Sequence, residues 1–184
     1  MRLKKNGGFT LIEVIVVAGI IAILAGILVP LVLKEIDESR ITRATADVRS
    51  IYTAVVVFKK DIGQWPVMNA DCDPAVSMLT GKGASPSNLA AMGYDDSAAE
   101  LYSDHLSTNA NNCYNNWKGP YIADVTADPW GNAYITNANA FQVQGGELGS
   151  DVWIISAGPN GLIDTPVPNA GGALVGDDIG LRFK

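Results

Sequence analysis

At 184 residues the chain has room for one anchor segment and one modest soluble domain. Its 19 acidic and 13 basic side chains give a formal charge of −6; three of the basic residues and no acid fall within the first eight positions, so the remainder stands at −9. An exterior this acidic argues against a nucleic-acid partner, whose affinity rests on Lys and Arg neutralising phosphates.

The chain opens with Arg2, Lys4 and Lys5, then Gly7-Gly8, then Phe9-Thr10-Leu11-Ile12-Glu13, then twenty uncharged residues from Val14 to Leu33. At about 1.5 Å rise per residue that run crosses a bilayer core of roughly 30 Å, and the basic residues in front hold that end in the cytoplasm. Two features separate it from an ordinary signal peptide. Glu13 lies near the start of the apolar segment, where an unpaired carboxylate costs on the order of 2 kcal/mol or more. The small residues of a cleavage site stand in front of the apolar run rather than behind it.

Gly8-Phe9-Thr10-Leu11-Ile12-Glu13 resembles the class III signal of type IV pilins and type II secretion pseudopilins. The resemblance implies cleavage between Gly8 and Phe9 by a prepilin peptidase and methylation of the new Phe9 amine. The apolar helix then serves first as membrane anchor and later as filament core. Glu13 gains a reason: a carboxylate in a dry helix bundle needs a cation, and the amine of a neighbouring subunit supplies one.

Beyond the anchor the helical period continues past Pro30, which removes one backbone donor and is expected to kink or locally melt the helix. Ile41, Ala44, Val48, Ile51, Val55 and Phe58 recur at steps of three and four and form one apolar stripe, while Arg40, Arg43, Asp47 and Arg49 occupy the other faces. Lys59, Lys60 and Gly63 suit a last turn and a left-handed stop. The reading is one helix from Thr10 to Ile62, on the order of 80 Å long, whose second half needs a folded partner.

From Trp65-Pro66 to Trp117 the chain turns to loop chemistry, with five asparagines between Asn109 and Asn116. Ser85-Pro86 is expected to cap a short helix through Met92, and Asp95 or Asp96 to open another running through Glu100 and Leu101 to His105. Cys72 and Cys113 span nearly all of this loop on the side where disulfides persist; a bridge between them contributes roughly 4 kcal/mol in the chain-entropy model, against the alternatives of free thiols or metal ligands. The loop reads either as a stapled surface insertion or as a variable face for neighbours or cargo. Its His105 is expected at the surface. With no Gly-x-Ser-x-Gly elbow and no phosphate loop, and with Asp95-Asp96 read as a solvated turn, no catalytic constellation emerges.

The final third reads as β-structure. Asp128-Pro129-Trp130-Gly131 makes a turn into a strand at Ala133 to Ile135; Phe141-Gln142-Val143 alternates as a second strand, and Asp151 to Ala157 forms a third. Short connections favour an antiparallel sheet, so the expected fold is α+β, a long helix laid on a small antiparallel sheet. The domain plan is 1–8 leader, 9–33 transmembrane and filament-core helix, 34–63 amphipathic continuation, and 64–184 periplasmic domain with the 72–113 disulfide loop.

Trp117-Lys118-Gly119-Pro120-Tyr121-Ile122, Asp128-Pro129-Trp130-Gly131-Asn132-Ala133-Tyr134 and Ser156-Ala157-Gly158-Pro159-Asn160-Gly161 narrow the resemblance to the major pseudopilins of type II secretion. That resemblance implies a calcium site in the last of these loops. Calcium takes six to eight oxygens from irregular loops, and Asn160, Asp164, Asp177 and Asp178 are the candidate ligands. Two departures bear on it: the family has aspartate at the position of Asn160, and a shorter path than Pro166 to Gly176 before the acidic pair. The alternative is a solvated acidic turn.

The resemblance therefore implies a non-enzymatic filament subunit, a major pseudopilin polymerising into the periplasmic pseudopilus that drives protein export. Its implied partners are further copies of itself, the prepilin peptidase, an inner-membrane assembly platform, minor pseudopilins and, before assembly, the inner membrane, with the C-terminal domain in the periplasm. A type IV pilus subunit forming a surface fibre, or a membrane-tethered binding domain, are the alternatives.

Overall fold

The computed structural model describes residues 8–142, 152–169 and 172–183, and the chain divides into two compact units, Met1–Ser39 and Arg40–Lys184. Leader residues Arg2, Lys4 and Lys5 and strand residue Val143 lie outside the described residues. Helix α1 spans Leu11–Ile62.

In the first unit the helix is apolar on every face, and its Ile, Leu and Val side chains from Leu11 to Leu33 are all more than half exposed. A helix with no polar face and no covering protein has the length and composition to cross a membrane. The expected melting at Pro30 does not occur, and α1 runs through it without a break. Proline deletes a single donor, and the branched and Leu-rich turns on either side keep the remaining ladder.

In the second unit the stripe is buried at Ala44, Val48, Ile51, Ala54, Val55 and Phe58. Ile41, expected to open the stripe, is 43% exposed, so the core begins one turn later and includes Ala54. The helix ends as its sequence dictates: Gly63 takes φ +86°, its N–H donates to the Lys59 carbonyl at 2.9 Å, and Lys59 Nζ donates to the Gly63 carbonyl at 2.9 Å.

Five strands make one sheet: β1 (Met78–Thr80), β2 (Ala99–Leu101), β3 (Ile135–Thr136), β4 (Trp153–Ser156) and β5 (Ile179–Arg182), in the order β2-β1-β3-β4-β5. The sheet is mixed rather than purely antiparallel. β1 pairs parallel with β2, Leu79 opposite Glu100, while β1–β3, β3–β4 and β4–β5 are antiparallel. Residues 81–98 provide a connection long enough for a parallel crossover. The expected strand at Phe141 is instead a 3₁₀ turn, Ala138–Gln142, with Ala138 and Phe141 buried three residues apart. That period of three mimics alternation over so short a stretch. The middle segment also differs: the helix before Gly93 is a 3₁₀ turn limited to Ala90–Met92, and Ala99–Leu101 is a strand that delays helix α2 to Tyr102–Leu106.

Every residue of β4 is buried, so both sheet faces are covered. One face packs on the helix stripe through Leu79, Ile154, Tyr102, Tyr134 and Phe183. The other, through Met78, Ile135 and Ile155, packs on Leu89, Tyr94, Ala157 and Ile163. Each such fully buried aliphatic or aromatic side chain contributes about 1.5–3 kcal/mol. The second layer places the C-terminal loop directly against the turn at residues 87–93.

Candidate functional sites: the N-terminal segment and the acidic loop

Helix α1 begins with a capping box built from the signal motif. Thr10 donates to Glu13 Oε2 from its backbone N–H at 2.9 Å and from its hydroxyl at 2.7 Å, and the Glu13 N–H donates to Thr10 Oγ1 at 3.3 Å. Within a single chain, then, Glu13 finds its donors in Thr10. Phe9 is 88% exposed, the residues at the proposed scissile bond, Gly8 and Phe9, precede the helix, and a Cβ added at Gly8 would meet nothing within 4 Å.

Of the four metal candidates, Asp164 and Asp178 are joined directly, and Asn160 links Asp164 to Asp177. Asp178 is 7% exposed and its Oδ2 accepts from the Asp164 and Thr165 N–H groups at 2.9 and 2.6 Å. Burial, with Asp164 nearby, raises its carboxyl above the usual range despite those bonds. Asn160 donates its backbone N–H to Asp177 Oδ2 at 3.0 Å and its side-chain Nδ2 to Asp164 Oδ2 at 3.1 Å. Its own Oδ1 accepts from Leu162 N at 2.7 Å. Asn160 thus links two acids through its donors. The spacing of that last bond, i to i+2 before a glycine, is the signal that marks an Asx turn in the sequence.

The insertion returns the chain with Asp178 against Asp164. Its ends are tied where the Val175 N–H donates to Thr165 Oγ1 at 3.0 Å, and its body closes on itself at Asn169, which accepts from Gly172 and donates to Ala173. Gly176 then passes so near Asp164 that any Cβ would overlap its carboxylate.

Two buried oxygens in this loop, Asp177 Oδ1 and Asp178 Oδ1, have no hydrogen-bond partner. Buried carboxylate oxygens left without donors are what a loop shaped for a hard cation presents. The residues fit calcium on that ground. Among the described residues no three carboxylate, imidazole or thiol side chains converge in metal-holding range, so a cation here needs carbonyl oxygens as well.

Cys72 and Cys113 form a disulfide, Cα–Cα 5.1 Å, closing the middle loop. Next to it lies a correction to the sequence reading. His105 is 2% exposed, not at the surface: its Nδ1 meets Tyr114 Oη at 2.7 Å, and its Nε2 lies 3.1 Å from Glu100 Oε2 without aligned hydrogen bonding. The Tyr114 hydroxyl also accepts from the Met68 N–H at 3.1 Å, so the imidazole fastens α2 to both ends of the disulfide loop. Burial pushes the imidazole down to about 4 from 6.5. Between those values the unfolded chain binds the proton and the folded chain does not, so the stability His105 permits is complete above about pH 6.5 and falls as pH drops toward 4. Glu100 works in the opposite sense, its carboxyl raised by burial and by Asp104. Relative to His105→Gln, the wild type is expected to lose about 2 kcal/mol of unfolding free energy between pH 7 and pH 5. Parallel urea-denaturation profiles for the two proteins across that range would remove this account.

Residues 3–29 match the prokaryotic N-terminal methylation motif, and residues 98–170 match the type II secretion system protein G family. The type II secretion system core protein G of Pseudomonas aeruginosa is 29% identical over 135 residues, 73% of this chain and 75% of that protein. The Escherichia coli K12 protein of the same description is 29% identical over 161 residues, 88% of this chain and 87% of its own length. The chain is thus similar to protein G of type II secretion systems in its C-terminal part and carries a methylation-type motif at its N-terminal end. Along this chain the motif match takes in Gly8, Phe9 and Glu13, and the protein G match takes in Cys113 and the Asn160–Asp164 loop but ends before Asp177-Asp178. The toxin coregulated pilin of Vibrio cholerae is 31% identical over 80 residues, 42% of this chain and 35% of that pilin, which favours the surface-fibre alternative far less. No solved structure matches the chain.

Proposed function

We infer that this chain is the major pseudopilin of a type II secretion system, a structural subunit that polymerises into a periplasmic filament and moves exported protein outward. One observation carries the reading: a methylation-type signal at residues 3–29 and a protein G match at residues 98–170 occur in the same chain. The helix from Leu11 to Leu33 holds each subunit in the inner membrane with the second unit in the periplasm, then bundles with its neighbours in the filament core. The partners are copies of the chain itself, an inner-membrane assembly platform and minor pseudopilins. In each contact the methylated Phe9 amine of one subunit meets Glu13 of the next.

Calcium belongs to the same reading. Asp177 and Asp178, with Asp164 beside them, would hold it, and the ion would neutralise acids that otherwise face one another in a partly buried loop. Asn160 and Thr165 orient those acids through the hydrogen bonds described above.

Processing tests the function directly. A prepilin peptidase must fit the backbone closely at the scissile bond, so Gly8→Val is expected to leave the chain at its unprocessed mass and out of any filament. The wild type, produced with the peptidase, loses residues 1–8 and gains a methyl group. A mature wild-type chain that still starts at Met1 in such cells would contradict the reading.

A further inference from the structure

The acidic loop is held from beneath by a side chain that lies 75 residues earlier and outside both matched family segments. Asn88 donates from Nδ2 to the Ile163 carbonyl at 2.7 Å and accepts the Ile163 N–H on Oδ1 at 3.0 Å. One side-chain amide thus satisfies both backbone groups of a completely buried residue, as a neighbouring strand would. The two residues that follow, Asp164 and Thr165, donate their N–H groups to Asp178. The tripeptide is therefore fixed on one side by Asn88 and on the other by a carboxylate of the candidate site.

The turn around Asn88 supports the same segment twice more. Val167 donates its N–H to the Met92 carbonyl at 2.7 Å. Gly93, at φ +85°, approaches Val167 so closely that a Cβ would stand 2.0 Å from its carbonyl oxygen, an approach open only to glycine. Leu89, Tyr94 and Ile163 share the second apolar cluster, with Met92 and Val167 packed on it. Capping by Ser85-Pro86 gives way to this arrangement: the 3₁₀ turn has no side-chain cap, and the Asn88 amide is used across the molecule instead.

We propose that Asn88 is a positioning residue for calcium, holding Asp164 against Asp178 in the metal-free chain so that the ion meets a formed site. This rests on the reading of the loop as a calcium site. Without Asn88, Ile163 to Thr165 must be ordered by the ion itself, and the entropy of fixing those residues subtracts from binding.

The test uses the full mature chain in detergent, titrated with calcium chloride by calorimetry and melted in calcium and in chelator. Wild type is expected to bind and to melt higher with calcium. Asn88→Ala is expected to raise the calcium Kd at least tenfold, about 1.4 kcal/mol, to shrink the calcium-dependent gain in melting temperature, and to speed amide exchange at Asp164 and Thr165 in chelator. Asn88→Asp, which keeps the acceptor for the Ile163 N–H but not the donor, falls between the two and decides the matter where Asn88→Ala does not fold. A purely structural brace would lower both melting curves equally and leave the Kd within twofold of wild type in both variants, and that result would overturn the proposal. A wild type indifferent to calcium overturns the calcium reading and this proposal together, whereas a responsive wild type with an equally responsive Asn88 pair overturns this proposal alone.

Discussion

Glu13→Leu is expected to abolish filament formation while leaving membrane insertion intact or improved. The substitution removes a carboxylate that costs on the order of 2 kcal/mol or more at the edge of the apolar segment, so the variant partitions at least as well as wild type. It also removes the acceptor of both Thr10 donors, and losing such a cap costs the helix only about 1 kcal/mol. Glu13→Gln separates the two roles. Glutamine serves a capping box as well as glutamate does, but it offers a neighbour's ammonium no charge. If assembly depends on the ion pair, both variants sediment with membranes and neither yields filaments by electron microscopy. If Glu13→Gln assembles normally, the capping box is what matters and the intersubunit pair is not. Normal filament yield from both would remove Glu13 from assembly altogether.

Calcium is expected to raise the melting temperature of the full chain in detergent by about 8 °C at a hundredfold excess over its dissociation constant. Binding the native state alone contributes roughly 2.7 kcal/mol there, and a chain of this size shifts by about 3 °C per kcal/mol. The two partnerless buried oxygens, Asp177 Oδ1 and Asp178 Oδ1, locate the effect. Asp177→Ala is expected to erase most of the gain and to leave the curve in chelator almost unchanged, because Asp177 loses only the Asn160 N–H bond. Asp178→Ala differs. It strands the Asp164 and Thr165 N–H groups, one of them in a wholly buried residue, and lowers melting in chelator too. Magnesium, which demands a tight octahedron, should replace calcium poorly. Superimposable curves in calcium and chelator would mean that the loop keeps its shape by hydrogen bonds alone.

What the sequence disclosed depended on length and period. The signal motif, the apolar run and the stripe from Ala44 to Phe58 are long or strictly ordered, and each is found where expected. So is β4, a continuous apolar run in a sheet covered on both faces. Two strands of three residues escaped, because Met78–Thr80 and Ala99–Leu101 are shorter than any window over which alternation can be counted. Missing them hid the parallel pair and hence the mixed sheet. Phe141 gave a false strand because burial every third residue and burial every second cannot be told apart over three positions. His105 gave no sign of burial, since Tyr114 and Glu100 meet it only through the fold. The acidic residues of the loop were legible as types, but the bonds from Asn160 to Asp177 and Asp164 depended on which donor faced which acid.

The tie between Thr165 and Val175 has a consequence for the span it closes. A segment whose two ends are joined transmits nothing of its own length to what lies below the joint, and doubling a loop beyond such a neck costs only about 0.6 kcal/mol. Asp164 on one side and Asp177-Asp178 on the other keep their separation however many residues stand between Pro166 and Leu174. A change of length in that span is therefore taken up beyond the neck and not at the acids.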